Sequence, residues 1–314
     1  MTDAAAPIVL GTMHFGTRTA REDAFKILDA YVDHGGSWID TANAYAFWSS
    51  ETGFGGQSEE VIGEWITARR NRGDVRLSSK VGVEPLVPGG YPDHVEGLGF
   101  DAVQAAMHAS LRRLKVEHLD MYWAHKEDRT QSIAAVTETF GGLVTEGLTA
   151  RIGLSNHPAW YLAAANAHAA HGGSPGFSAT QLRESYLHPR PDLPVDGQDH
   201  PNGMMTPETK DYAAYAGVDL WAYTPLLTGA YEHPDRALPS AYDHPGTTAR
   251  RAALVKVAAE LGVKPSQLVI AWLLAQTPRV IPIIGVSSPA QIIEALQASH
   301  LEVPQDLMRD LNIG

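Results

Sequence analysis

Eight short apolar runs, rich in β-branched residues and separated by stretches of helical period, set the tightest limit on how this chain can fold. They are IVLGTM (8–13), SWIDTA (37–42), VRLSSK (75–80), HLDMYWAH (118–125), TARIGLS (149–155), FSATQL (177–182), VDLWAY (218–223) and VIPIIG (280–285). Between them, REDAFKILDAYVDHG puts apolar residues at positions 25, 28, 31 and 32, and FDAVQAAMHASLRRLK follows a similar spacing. Gly35, Gly36 and Gly147 stand where helix C-caps are expected. Strands that alternate with helices imply βα units and a parallel sheet. Eight such units in 314 residues predict a single (β/α)8 TIM barrel domain over 1–314, with long loops after several strands. A doubly wound open sheet is the rival, but the Gly-x-Gly-x-x-Gly turn that would favour it after the first strand is missing.

Three segments break the rhythm: 84–99, 187–208 and 227–248, all rich in Pro, Gly and Asp and each following a strand. In a barrel such loops collect on one face, which makes them candidate pocket walls; each also reads as a plain exposed insertion. Composition then excludes several functions. A net charge of −12 does not suit a nucleic-acid footprint. No apolar run approaches the roughly 20 residues that span a bilayer. The opening MTDAAAPIVLGTMHFG lacks the basic and long apolar regions of a secretory signal, and the absence of cysteine rules out disulfides, thiol catalysis and thiolate metal sites. A cytoplasmic protein is expected, monomeric or weakly homo-oligomeric, with a small molecule rather than a membrane or nucleic acid as its partner. No metal is expected, because the 14 histidines fall mostly in loops and helices and GTMHFG offers only His14 on the first strand.

The second, third and fourth strands end on Asp40, with Tyr45 in the loop beyond, on Lys80 and on His125. Taken singly, these are a helix cap, a surface lysine and a structural histidine. Consecutive barrel strands are neighbours, however, so all four side chains can meet at one rim. The chain has only seven lysines, and one at the polar end of a buried strand needs a carboxylate partner. Together the four support proton donation by a phenol. A free tyrosine has a pKa near 10, a nearby ammonium lowers it, and a carboxylate holds the ammonium in place. A neutral imidazole can bond the same substrate oxygen. Such a set suits carbonyl reduction, with hydride arriving at carbon while tyrosine protonates oxygen.

With these residues in place, the chain resembles the aldo-keto reductase superfamily over nearly its whole length. The matching stretches, in the family's order, are GTMHFGT, GSWIDTANAY, GGQSEEVIGEWI, LSSKVG, LDMYWAHKED, ARIGLSNH, ATQLRESY, WAYTPLLTGAY and IPIIGVSSPAQIIEAL. The resemblance implies a barrel that binds a nicotinamide dinucleotide without a Rossmann domain, and a catalytic tetrad of Asp40, Tyr45, Lys80 and His125. It implies that Ser155, Asn156 and Gln181 bond the carboxamide and that Tyr223 stacks on the nicotinamide. It further implies that Thr224, Leu226 and Gly229 face the pyrophosphate, that Gly11, Thr12, Met13 and Asp40 border the cofactor, and that Gly285, Ser287, Gln291 and Glu294 hold the adenosine end.

Departures from the family pattern bear on the cofactor. Glu184 replaces the frequent tyrosine three residues after Gln181, Ala295 follows Glu294 where asparagine is frequent, and GVSSPAQ has no cation for a 2′-phosphate. Arg250 and Arg251 are the candidates to supply that charge. NADP(H) is expected, with NAD(H) also used. A nucleotide-binding regulatory subunit is the second reading, and a metal-dependent hydrolase on the same barrel is the third. For a substrate pocket the residues point to Trp48, in the Tyr45 loop, and Trp123, with Phe47, Tyr91 and Tyr231 as further apolar walls.

Overall fold

A computed structural model describes residues 8–195, 203–233 and 235–312. Numbered in chain order, its strands are β1 (Val9–Gly11), β2 (Trp38–Asp40), β3 (Arg76–Val81), β4 (Met121–Ala124), β5 (Ile152–Ser155), β6 (Ala179–Arg183), β7 (Asp219–Tyr223) and β8 (Val280–Gly285). All pair in parallel with their sequence neighbours, and β1 pairs with β8 to close the barrel. The helices are α1 (Arg21–Asp33), α2 (Gln57–Arg69), α3 (Phe100–Leu114), α4 (Ile133–Thr145), α5 (Ala159–Gly172), α6 (Pro207–Ala216), α7 (Pro245–Leu261), α8 (Pro265–Leu274), α9 (Pro289–Ala298) and α10 (Gln305–Leu311). Each of the eight predicted runs coincides with a strand, which mostly is shorter than the run, although β3 and β6 extend one residue past theirs to Val81 and Arg183. Among the described residues, no single helix is long and apolar enough to cross a membrane.

The strand period of two sorts the side chains. Residues facing outward, such as Leu10, Ile39, Leu77, Tyr122, Leu154 and Leu220, join the helices in the large outer core. Residues facing inward fill the barrel in levels. Val9, Trp38, Met121, Trp123, Ala179, Trp221, Ile281 and Ile283 form a separate apolar cluster across its interior. Trp221 meets the edges of both Trp38 and Trp123, with ring centroids 5.1 and 5.2 Å apart. Gly153 lets Trp123 lie flat across β5, since a Cβ on it would fall 2.3 Å from the indole ring. Two residues further along each strand the inward positions become Gly11, Asp40, Lys80, His125, Ser155, Gln181, Tyr223 and Gly285. A floor of indoles and aliphatics thus supports a ring of residues at the C-terminal rim, the face on which barrel loops gather.

Two of the three expected glycine caps hold: Gly35 and Gly147 have φ of +87° and +76° and follow α1 and α4. Gly36 serves packing instead, because a Cβ there would run into the Tyr31 ring at 2.2 Å. The 84–99 loop folds back on itself through the Leu86 N–H, which donates to the His94 carbonyl at 2.9 Å. Of the 187–208 loop, residues 196–202 lie outside the described residues, as does residue 234 of the 227–248 loop.

Candidate active site

Lys80 is the hub of the rim. Its ammonium has three hydrogens, and each has an acceptor: Asp40 Oδ2 at 2.5 Å, the Thr41 carbonyl at 2.8 Å and Tyr45 Oη at 3.1 Å. The side chain is fully buried and Asp40 nearly so. Burial pulls the ammonium toward neutrality, but Asp40 and Tyr45 outweigh it and its pKa lies above the usual lysine value. Asp40 is fixed in turn by Ser78, the inward residue two before Lys80, whose Oγ donates to Oδ1 at 2.5 Å. Gln181 reaches the same oxygen from across the barrel at 3.4 Å. Because the phenol oxygen of Tyr45 accepts from Lys80, its own O–H is directed away from the ammonium.

The loop that carries Tyr45 is clamped on both sides. Its Thr41 hydroxyl donates to Ser58 Oγ at 2.8 Å, and Ser58 donates to the Thr12 carbonyl at 2.9 Å. From the other side, Asn43 Nδ2 donates to Glu96 at 2.8 Å and the Gly55 N–H donates to Glu84 at 2.8 Å. Gly55 has no room for a side chain, since a Cβ would sit 2.5 Å from the backbone of Asn43 and Ala44. Burial raises both carboxyls of the 84–99 loop, Glu84 to about 7. These anchors escaped sequence reasoning. Ser78 had a signal in its inward spacing from Lys80, but nothing local marks Glu84 or Glu96 as partners of the 41–56 loop.

His125 stands beside Tyr45, the two rings 5.8 Å apart. Burial first, then the charges of Lys80 and Lys126, holds its pKa well below the usual histidine value, so the imidazole is neutral near pH 7. Its buried Nδ1 has no hydrogen-bond partner among the described residues. Trp48 stands at the mouth, 45% exposed, with its ring 6.2 Å from Tyr45. Phe47 and Tyr91 join it, with ring centroids 5.2 Å apart. Trp123 is not a wall: it points inward one level below His125 and is buried in the floor. Tyr231 is also buried, its hydroxyl 2.7 Å from Ser185 Oγ and accepting the Leu187 N–H at 2.9 Å.

The residues expected around a dinucleotide continue this rim from β5 to β8. Tyr223 is half-buried and its hydroxyl donates to Asn156 Oδ1 at 2.9 Å, while Asn156 Nδ2 donates to the His125 carbonyl at 2.9 Å and Ser155 lies beneath. Past β7, Thr224, Leu227, Thr228 and Gly229 all have positive φ, so the backbone winds tightly below half-buried Leu226. Gly285 is exposed, and a Cβ there would meet only the Gly11 carbonyl at 3.9 Å, leaving space beside β8. Met13 is 41% exposed, whereas Thr12 is fully buried and its hydroxyl donates to the Asp40 carbonyl. Ser287 donates through both N–H and Oγ to Gln291, at 2.8 and 3.1 Å. An open glycine edge, an amide-rich rim and an aromatic ring suit a nicotinamide dinucleotide. The expected arginines have partners elsewhere. Arg250 donates to the Tyr186 carbonyl and lies 4.3 Å over that residue's ring, and Arg251 donates to the Ala230 carbonyl, because the loop after β7 docks against α7. The cation that does meet the segment is Lys264, 2.5 Å from Glu294. Among the described residues, no group of three or more His, Asp or Glu side chains is placed to hold a metal.

Comparison with known proteins agrees with this geometry. The sequence matches the Aldo/keto reductase family over residues 7–313. The uncharacterized oxidoreductase YrpG of Bacillus subtilis is 30% identical over 319 residues, which cover 97% of this chain and 90% of the relative. An aryl-alcohol dehydrogenase of Pestalotiopsis microspora is 27% identical, covering 98% of this chain and 78% of its own length. The crystal structure of an aldo/keto reductase from Klebsiella pneumoniae in complex with NADP and acetate superposes with a TM-score of 0.71, at 23% identity, covering 98% of this chain and 90% of that one. The chain belongs to the Aldo/keto reductase family. It is an NAD(P)H-dependent oxidoreductase with that family's (β/α)8 barrel.

Proposed function

We propose that this protein reduces an aldehyde or ketone to the alcohol, with Tyr45 as the proton donor. The observation that carries the reading is the Lys80 ammonium held between Asp40 and Tyr45 in a fully buried position. A bound nicotinamide supplies hydride from its C4. The chain's own groups manage the proton. As it leaves the phenol for the carbonyl oxygen, charge grows on Tyr45 Oη, and the N–H of Lys80 already points at that oxygen. Low local dielectric strengthens this contact, and Asp40 keeps the ammonium from drifting toward the substrate. Neutral His125 is available to bond the same substrate oxygen without competing for the tyrosine's proton.

NADP(H) is the favoured cofactor, with NAD(H) also used. The Klebsiella enzyme was crystallised with NADP, and the exposed serines and Gln291 here offer only neutral hydrogen bonds apart from Lys264. The test is a panel of aldehydes, ketones and sugars assayed with NADPH and NADH. Turnover of at least one carbonyl class, faster with NADPH, is expected. Tight dinucleotide binding with no turnover of any carbonyl would replace this reading with that of a regulatory subunit.

A further inference from the structure

Three successive loops bring rings and one cation to the mouth beside Tyr45. The loop after β2 contributes Phe47 and Trp48, whose ring centroids lie 5.0 Å apart at an edge-to-face angle. The loop after β3 contributes Tyr91, packed on Phe47, and the loop after β4 contributes Lys126, whose Nζ lies 5.8 Å from the centre of the Tyr91 ring. Lys126 directly follows His125, so the contacts run in an unbroken arc from His125 through Tyr45, Trp48, Phe47 and Tyr91 to Lys126.

Among the described residues, no carboxylate forms an ion pair with Lys126, although acids lie close by in sequence. Glu127 is held by Arg129 through bonds of 2.8 and 3.1 Å. Asp128 accepts from the Leu98 N–H at 2.9 Å and from the Thr130 hydroxyl at 2.6 Å. Glu84 and Glu96 accept from Gly55 and Asn43 in the Tyr45 loop. These four acids thus have other partners, and a positive charge stands over the aromatic wall of a chain whose net charge is −12.

We infer that the carbonyl substrate is an aryl compound bearing an acidic substituent, which Lys126 binds while Trp48, Phe47 and Tyr91 hold the ring. The inference rests on the carbonyl-reductase reading of the same site. Stacked and edge-on aromatic contacts bind a flat apolar body, and a few polar groups fix its orientation. An ammonium that no carboxylate among the described residues pairs can make a charge-assisted bond to a substrate carboxylate, and near the mouth it also offsets the repulsion that the acidic surface exerts on an anion.

The experiment compares benzaldehyde with 2-, 3- and 4-carboxybenzaldehyde in the wild type, Lys126→Gln and Lys126→Glu. The quantity read is the ratio of kcat/KM for each acid over benzaldehyde, so the intrinsic reactivity of each aldehyde cancels between variants. For at least one isomer the ratio should fall about tenfold in Lys126→Gln, mainly through KM, and further in Lys126→Glu. A ratio unmoved for all three isomers in both variants would overturn the inference. If no carbonyl turns over at all, the reductase reading fails on its own, and calorimetric binding of benzoate against benzamide still decides this one. Preference for benzoate that disappears in Lys126→Glu supports an anion subsite; equal binding of the two removes it.

Discussion

The rim over β2, β3 and β4 and the segment after β8 carry comparable numbers of polar groups in opposite surroundings. Lys80 and Asp40 form an ion pair out of contact with water, whereas the Lys264–Glu294 pair keeps 56% and 32% of its side-chain surface exposed. A charge pair inside the protein is strong and geometrically demanding, while one at the surface is screened and weak. On the proposed reading, chemistry is expected to be fixed at the first region, and discrimination among dinucleotides to be soft at the second. Variants in three places test that contrast.

The largest effect belongs to the buried rim. Tyr45→Phe keeps the ring and removes the proton, so kcat for carbonyl reduction should fall about 100-fold or more. Lys80→Met should also depress turnover, by leaving the tyrosine's proton too tightly held. Cofactor Kd, followed by fluorescence titration, should hardly move in the Phe variant. A Tyr45→Phe enzyme with wild-type turnover would end the contrast by showing that the buried hub is only structural.

At the exposed end, Lys264→Ala should lower the ratio of kcat/KM for NADPH over NADH by a few-fold to about tenfold, the scale of one partly screened charge-assisted bond. Parallel Arg250→Ala and Arg251→Ala variants should shift the ratio less, since those side chains are engaged with Tyr186 and Ala230. A larger shift from either arginine than from Lys264 would reverse the assignment.

The smallest effect lies between the two, in the clamp on the Tyr45 loop. Glu84 titrates near 7 in the folded protein, raised chiefly by burial. A folded-state pKa above the unfolded one means that its stabilising contribution is present at acid pH, below the ordinary glutamate range, and is lost as pH rises through about 7. Glu84→Gln keeps an acceptor for the Gly55 N–H and removes the titration. Melting curves at pH 5 and pH 8 should show the variant gaining about 1 kcal/mol relative to wild type at the higher pH, after allowance for partial exposure. Parallel pH dependence in the two proteins would show that this carboxyl does not titrate in the range.

Much of the rim was legible because strand geometry is periodic. The eight β-branched runs gave the barrel, and the polar residue at the end of each run gave Asp40, Lys80, His125, Ser155, Gln181 and Tyr223 a common level. The same period corrects the reading of Trp123. It stands two residues before His125, which places it about 6.6 Å lower on the same inward face, in the floor rather than the wall. Loop residues had no such ruler. Whether Tyr231 lines a pocket or is buried, and whether Arg250 reaches a phosphate or Tyr186, depends on how the 227–248 segment docks. Lys264 went unnoticed for the related reason that its partner Glu294 is thirty residues away, on another helix.

The indole floor has a consequence for traffic. Trp38, Trp123 and Trp221 pack into an apolar floor below the rim, and among the described residues the indole nitrogens of Trp123 and Trp221 have no hydrogen-bond partner. A floor of that kind offers a proton no polar relay toward the lower end. If Tyr45 is the proton donor proposed above, the expected route for its replacement proton is the rim, on the same side as Trp48 and Lys126. Under that reading, recharging the acid and clearing the product would share a path, so that replacement of the proton would wait on departure of the alcohol.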